Sequence, residues 1–244
     1  MNRLLLGFLA TTASASALVA CSPGSDTGNV AVFAAASTRV LNDDLQSLTS
    51  EDLTFVNAGS SDLVQQLIDG APADVLITAD NATMDRAVRA GVVAEPTVVA
   101  ENSLVLITPA DNPAGISSLS DAASSHSVVA CDPQVPCGAA TSALLSLNSV
   151  SLTPASLEHS VTDVLGKVAA GEANAGFVYA TDAAAAGDRV NIIDIPHADQ
   201  HRNQIVAAVA TGASRRDAAQ RVVDTLRSEQ AAQMWRNHDF LPVR

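Results

Sequence analysis

The chain is poor in almost everything that grips nucleic acid. Of 244 residues only 13 are Lys or Arg against 26 Asp or Glu, a formal charge of −13, and Lys167 is the single lysine. Aromatic residues make up 3%, with one Trp and one Tyr. So acidic a chain has no surface to neutralise phosphates, and so few rings offer no stacking platform. Catalytic signatures are missing too. No G-x-S-x-G elbow, P-loop, G-x-G-x-x-G or H-E-x-x-H occurs, and Val164 stands where an S-x-x-K motif ending at Lys167 would need serine. His197 and His201 share i, i+4 spacing but lie in a polar stretch after Pro196 with no third ligand nearby, as in a solvated turn. His126, His159 and His238 are isolated, and the carboxylates are dispersed. The reading is a protein without catalytic machinery.

What is present is apolar. Hydrophobic residues reach 48% and charged ones 16%, which excludes a disordered chain. The length suits one large domain or two lobes of about 100–120 residues each.

Residues 1–20 have the layout of a secretory signal: Arg3, an apolar stretch from Leu4, then small residues. The stretch is too short and too rich in Ala and Ser for a stable membrane span. It ends in Leu18-Val19-Ala20-Cys21, which resembles a bacterial lipobox. Cleavage before Cys21 and acylation of that residue are expected, with residues 21–29 as lipidated cysteine and tether. The protein is then anchored on the outer face of the cell membrane.

The two remaining cysteines, Cys131 and Cys137, sit close together in Cys131-Asp-Pro-Gln-Val-Pro-Cys137. Outside the cytoplasm such a pair is normally oxidised. A disulfide over so short a loop adds only about 2 kcal/mol through unfolded-state entropy, so its expected work is local: shaping the turn before Gly138. A metal site lacks neighbouring ligands.

Hydrophobic patterning alternates strands and helices. Apolar strands are predicted at 30–35, 53–57, 75–78 and 104–108, with helices at 38–48, 62–68 (capped by Ser61) and 81–90. A second block predicts strands at 127–130, 176–179, 190–195 and 205–210, and helices at 139–147, 161–170 and 181–186. Residues 214–235 read as one long helix. The order is that of parallel, doubly wound α/β lobes.

Small hydroxyl residues recur where strands hand over to helices: Ser37 and Thr38 after the first strand, Ser60 and Ser61 after the second, with Gly138 and Ala139 after the cysteine loop. Ligands of open α/β sheets sit at these strand ends, where helix N-termini offer unpaired N–H groups and favour an anion. Taken singly, each serine reads equally as a helix cap.

Three further stretches add a resemblance. Val32-Phe33-Ala34-Ala35-Ala36-Ser37, Ala58-Gly59-Ser60-Ser61-x-Leu63 and Gly70-Ala71-Pro72-Ala73-Asp74-Val75-Leu76-Ile77-x-Ala79-Asp80-x3-Met84-Asp85 resemble the periplasmic molybdate-binding proteins of molybdate ABC importers. The likeness continues through Asn102-Ser103-Leu104-Val105, Asp132-Pro133 with Val135-Pro136-Cys137-Gly138, Thr162-Asp163-Val164 and Gly176-Phe177-Val178-Tyr179-x-x-Asp182-Ala183. The lipobox and cysteine pair are similar to the lipoprotein branch of high-GC Gram-positive bacteria.

The resemblance implies two α/β lobes joined by a hinge, of the type II periplasmic-binding-protein kind, with lobe I at 30–106 plus 208–244 and lobe II at 107–207. It implies a monomer without a cofactor that holds molybdate or tungstate between the lobes and serves a membrane permease. Position by position it implies donation from the hydroxyls and amides of Ser37 and Ser60, the amides of Cys137 and Val164, and the Tyr179 hydroxyl. The family more often has a small residue such as alanine at position 137, but only the main chain is needed there. A shell made wholly of donors suits a proton-free dianion, whereas a protonated phosphate needs an acceptor as well. Sulfate or another small oxyanion is the alternative ligand.

Overall fold

A computed structural model describes residues 28–125 and 127–243. The expected signal segment, Cys21, most of the expected tether and His126 lie outside the described residues.

The chain opens with strand β1 (Val30–Ala35), a 3-10 turn (Ala36–Leu41) and helix α1 (Asn42–Leu48), then β2 (Leu53–Ala58), α2 (Ser60–Ile68), β3 (Val75–Thr78), α3 (Asn81–Arg89) and β4 (Val93–Asn102). It crosses to a second unit: β5 (Leu104–Pro109), α4 (Leu119–Ser124), β6 (Val128–Cys131), α5 (Pro136–Leu147), β7 (Ser156–Glu158), α6 (Val161–Ala169), β8 (Ala175–Tyr179), α7 (Ala180–Ala186) and β9 (Val190–Ile193). The return is β10 (Asn203–Ala210), followed by α8 (Arg216–Thr225), α9 (Glu229–Asn237) and β11 (Leu241–Pro242).

The strands form two mixed sheets, ordered β11-β4-β10-β3-β1-β2 and β7-β6-β8-β5-β9. Within each, a parallel trio (β2-β1-β3 and β7-β6-β8) carries the βα crossovers. The sheets are not parallel throughout: β10 runs antiparallel to β3 and β4, and β5 antiparallel to β8 and β9. These antiparallel strands are the ones entered from the connections between the lobes. The chain leaves the first sheet between Asn102 and Leu104 and re-enters it at Asn203, so each change of sheet falls a few residues before the expected boundaries.

Apolar runs predicted the buried strands well. Val30, Val32, Val75, Leu76, Leu104, Leu106 and Phe177 are all within 1% of full burial, as expected of strands covered on both faces. Other elements depart from the pattern. Residues 36–41 wind as a 3-10 turn instead of the first turns of an α-helix, with Thr38 Oγ1 donating to Ala35 O at 2.8 Å. Strand β4 contains Pro96 and a positive φ of 49° at Glu95, features that argue against a strand, and is held by its long pairing with β10. Helix α4 is short and is capped by Ser118. The single long C-terminal helix is two helices, because Ser228 interrupts the first and caps the second by accepting from Ala231 N. Between them Trp235 donates to Leu226 O at 3.0 Å and packs edge-on against Phe240.

One buried carboxylate ties the first lobe together. Asp74 accepts from Ala31 N, Ser214 N, Ser214 Oγ and Arg215 N, joining β1 to the approach to α8.

Candidate functional site

The carboxyl ends of β1, β2 and β3 face those of β6 and β8 across the junction of the two lobes. Helix starts crowd the gap. A cavity of about 20 Å³ lies there, lined by Ala35, Ala36, Ser37, Gly59, Ser60, Ala79, Val135, Pro136, Cys137, His159, Ser160, Val161 and Tyr179. That exceeds the about 10–15 Å³ needed by one water, so the space suits a compact guest. No Lys, Arg, Asp or Glu is among the lining residues.

Each donor is set by its local structure. In α2 the amides of Asp62 and Leu63 both donate to Gly59 O at 3.0 Å, so those of Ser60 and Ser61 precede the ladder. Gly59 is the N-cap, without a side-chain cap. Ser61 is therefore not the cap expected from the sequence; its hydroxyl crosses the junction to Gln134 O at 3.2 Å. Ser60 Oγ accepts from Ala79 N at 3.0 Å, which leaves its own proton to be donated elsewhere. Ser37 is 2% exposed, and its Oγ has no hydrogen-bond partner among the described residues. Neither Ser37 nor Ser60 caps a helix through its side chain.

The second lobe contributes two helix N-termini. In α5, Pro136 occupies the first turn and the amides of Gly138 and Ala139 both reach Val135 O at 3.0 Å, so the Cys137 amide lies ahead of the ladder. Cys137 is disulfide-bonded to Cys131 at the end of β6, with Cα atoms 5.7 Å apart. Close packing under this turn explains Gly138, where a Cβ would fall 1.9 Å from Asp132 O. In α6, Ser160 caps by accepting from Asp163 N.

Val164 is not at the cavity. Its amide donates to Ser160 O at 3.4 Å as the first rung of the α6 ladder, and its side chain packs inward beside Gly176. The cavity-lining residue of α6 is Val161, one turn earlier, whose first-turn amide has no intrahelical acceptor. The Ser-x-x-Asp cap at Ser160 and Asp163 was the available signal: it places the helix start, and hence the free amides, at 161.

Tyr179 ends β8, lines the cavity and is 1% exposed. Burial, then the nearby carboxylates of Asp80 and Asp182, push its phenol well above the ordinary tyrosine range, so it stays a neutral donor. Asn203, which no sequence pattern singled out, donates through Nδ2 to the Tyr179 oxygen at 3.1 Å and to Ala79 O at 3.2 Å. His159 is also at the cavity, though it read as an isolated histidine. Thus Ser37, Ser60, Cys137 and Tyr179 come together, with Val161 in place of Val164.

Two mixed α/β lobes closing on a small cavity that no Lys, Arg, Asp or Glu lines have the architecture of a solute-binding protein. The chain belongs to the bacterial extracellular solute-binding protein family, whose profile matches residues 30–241. It is similar to "Molybdate-binding protein ModA" of Mycobacterium tuberculosis, 38% identical over 202 residues covering 80% of this chain and 77% of that one. Its fold is shared with the periplasmic molybdate-binding protein of Azotobacter vinelandii (TM-score 0.74, 18% identity, 88% of this chain and 100% of that chain). The sulfate-binding protein SubI of M. tuberculosis has the same fold (TM-score 0.75, 18% identity, 88% and 87%).

Proposed function

We propose that this protein captures molybdate, and tungstate of nearly the same size, between its two lobes outside the cytoplasm and delivers it to the permease of an ABC importer. The observation that carries this reading is a cavity rich in donors and free of carboxylates. The hydroxyls of Ser37, Ser60 and Tyr179 and the amides at the starts of α2, α5 and α6 converge there, and no lining side chain is a carboxylate. A proton-free dianion satisfies every donor and leaves nothing of its own unpaired. The resemblance to named molybdate-binding relatives supports the same guest.

The mechanism follows from which lobe each donor belongs to. Ser37 and Ser60 sit on the first lobe, Cys137, Val161 and Tyr179 on the second, so a bound anion bridges the junction and favours the closed arrangement. Charge-assisted hydrogen bonds contribute about 1.5–3 kcal/mol each, enough for micromolar to nanomolar affinity from five or six after ordering costs. Because the donors are neutral, no ion pair has to be broken at release. Cys21 as a lipid anchor, following the Leu18–Cys21 lipobox, would keep a monomeric carrier beside its permease.

A thermal-shift panel tests the reading. Molybdate and tungstate should raise the melting temperature at concentrations where sulfate and phosphate do little. A larger shift with sulfate would transfer the protein to the alternative ligand, and no shift with any tetrahedral anion would overturn the site.

A further inference from the structure

Resting on the site proposed above, we infer that Asn203 is the positioning residue that makes Tyr179 a donor-only group, and so selects proton-free dianions over anions that carry a proton. Asn203 is the first residue of β10, buried where the chain returns to the first sheet, and stands in register with Asn102 on β4. Its Nδ2 is 3.2 Å from Ala79 O and 3.1 Å from the Tyr179 hydroxyl. A carbonyl oxygen only accepts, so the atom facing Ala79 must be the amide nitrogen, and a flipped side chain would lose that bond. One amide proton goes to Ala79 O and the other to the Tyr179 oxygen. With that lone pair occupied, the phenolic proton must point away from Asn203. Tyr179 lines the cavity, and its hydroxyl donates to no protein acceptor among the described residues.

One residue, Ala79, backs both sets of contacts. Ala79 donates its N–H to Ser60 Oγ at 3.0 Å and receives Asn203 on its carbonyl. Ser60 on one lobe and Tyr179 on the other are thereby each made to accept at the back, which frees each hydroxyl proton for the cavity. A phosphate that retains a proton meets only protons at Tyr179. Aspartate at 203 would reverse the polarity: its carboxylate would accept a hydrogen bond from the phenolic O–H and leave the tyrosine oxygen as an acceptor toward the cavity. Leucine would leave the hydroxyl free to turn.

The test is calorimetric titration of the purified protein and of N203L, N203D, Y179F and the N203L/Y179F double variant with sodium molybdate and with inorganic phosphate. N203L should weaken molybdate binding about threefold to tenfold, and N203D about tenfold or more, with a clear fall in the molybdate-to-phosphate preference. In the Y179F background N203L should cost little more, because its effect passes through the lost hydroxyl. Melting temperatures without anion separate folding from binding, and N203L carries the test if N203D does not fold. Unchanged preference in N203D, or N203L and Y179F losses that multiply independently, would overturn the inference alone. Wild-type protein that ignores molybdate would overturn the site as well.

Discussion

A Cβ placed on Gly59 would lie 2.5 Å from the carbonyl oxygen of His159. Gly59 opens α2 on the first lobe and His159 precedes α6 on the second, so this is the closest backbone approach across the junction given by the glycine positions. The φ of Gly59 is −57°, which any residue adopts; the glycine is required by proximity and not by backbone freedom. Closure of the lobes thus depends on a missing methyl group. Gly59→Ala should fold normally yet close poorly, with molybdate affinity falling about tenfold or more and the scattering-derived radius no longer shrinking on ligand addition. Wild-type contraction in the variant would show that the contact gives way easily.

Ser37 Oγ is buried without a partner among the described residues, a state that costs free energy until an acceptor arrives. Ser37→Ala should therefore weaken molybdate by about tenfold while leaving the ligand-free melting temperature unchanged or slightly raised. Tyr179→Phe should lose a similar factor. A serine variant that melts earlier without anion and binds as wild type would assign Ser37 to stability instead.

The Cys131–Cys137 bridge holds the turn that aims the Cys137 amide. Replacing both cysteines by serine should cost about 2 kcal/mol of stability. Molybdate should also leave faster, because the second-lobe amide is then free to wander. Stopped-flow release measured with and without a reductant would detect this, and identical rates would confine the bridge to stability.

Asp182 provides a pH signature. It is buried in the first turn of α7, and its Oδ2 has no partner among the described residues. Burial raises its carboxyl to about 7 from 3.8, against the opposing charge of Arg39 and a backbone hydrogen bond. Between these values the native protein holds a proton that the unfolded chain releases, so stability falls as pH rises from about 4 to about 7 and stays lowered above. Asp182→Asn should therefore stabilise the protein at about pH 8, by up to about 4 kcal/mol, with the gain vanishing near pH 4. Denaturant melts of both proteins at several pH values would measure it, and a gain independent of pH would refute this assignment.

The strand-helix alternation was legible because its signal is local. Runs such as 30–35 and 75–78 are apolar at every position, and only a doubly covered strand uses them that way. Elements that misled the reading owe their state to distant partners: β4 tolerates Pro96 because β10 pairs with it, and Ser61 is drawn off its expected cap by Gln134 on the opposite lobe.

Ser37, Ser60, Cys137 and Tyr179 were found at the cavity because each sits at a strand or helix end that a short motif marks. Val164 was misplaced by one helical turn, since an amide's freedom depends on where the ladder starts, which the Ser160 cap decides.

The amino-acid order alone carries the acidity, the alternating α/β elements and the supply of small hydroxyls, all properties of neighbouring residues. Whether a hydroxyl gives or takes its proton depends on what lies behind it. For Ser60 and Tyr179 that backing comes from Ala79 and Asn203, 19 and 24 residues away along the chain; the first pair meets only once the first lobe has folded, the second only once the two lobes have met.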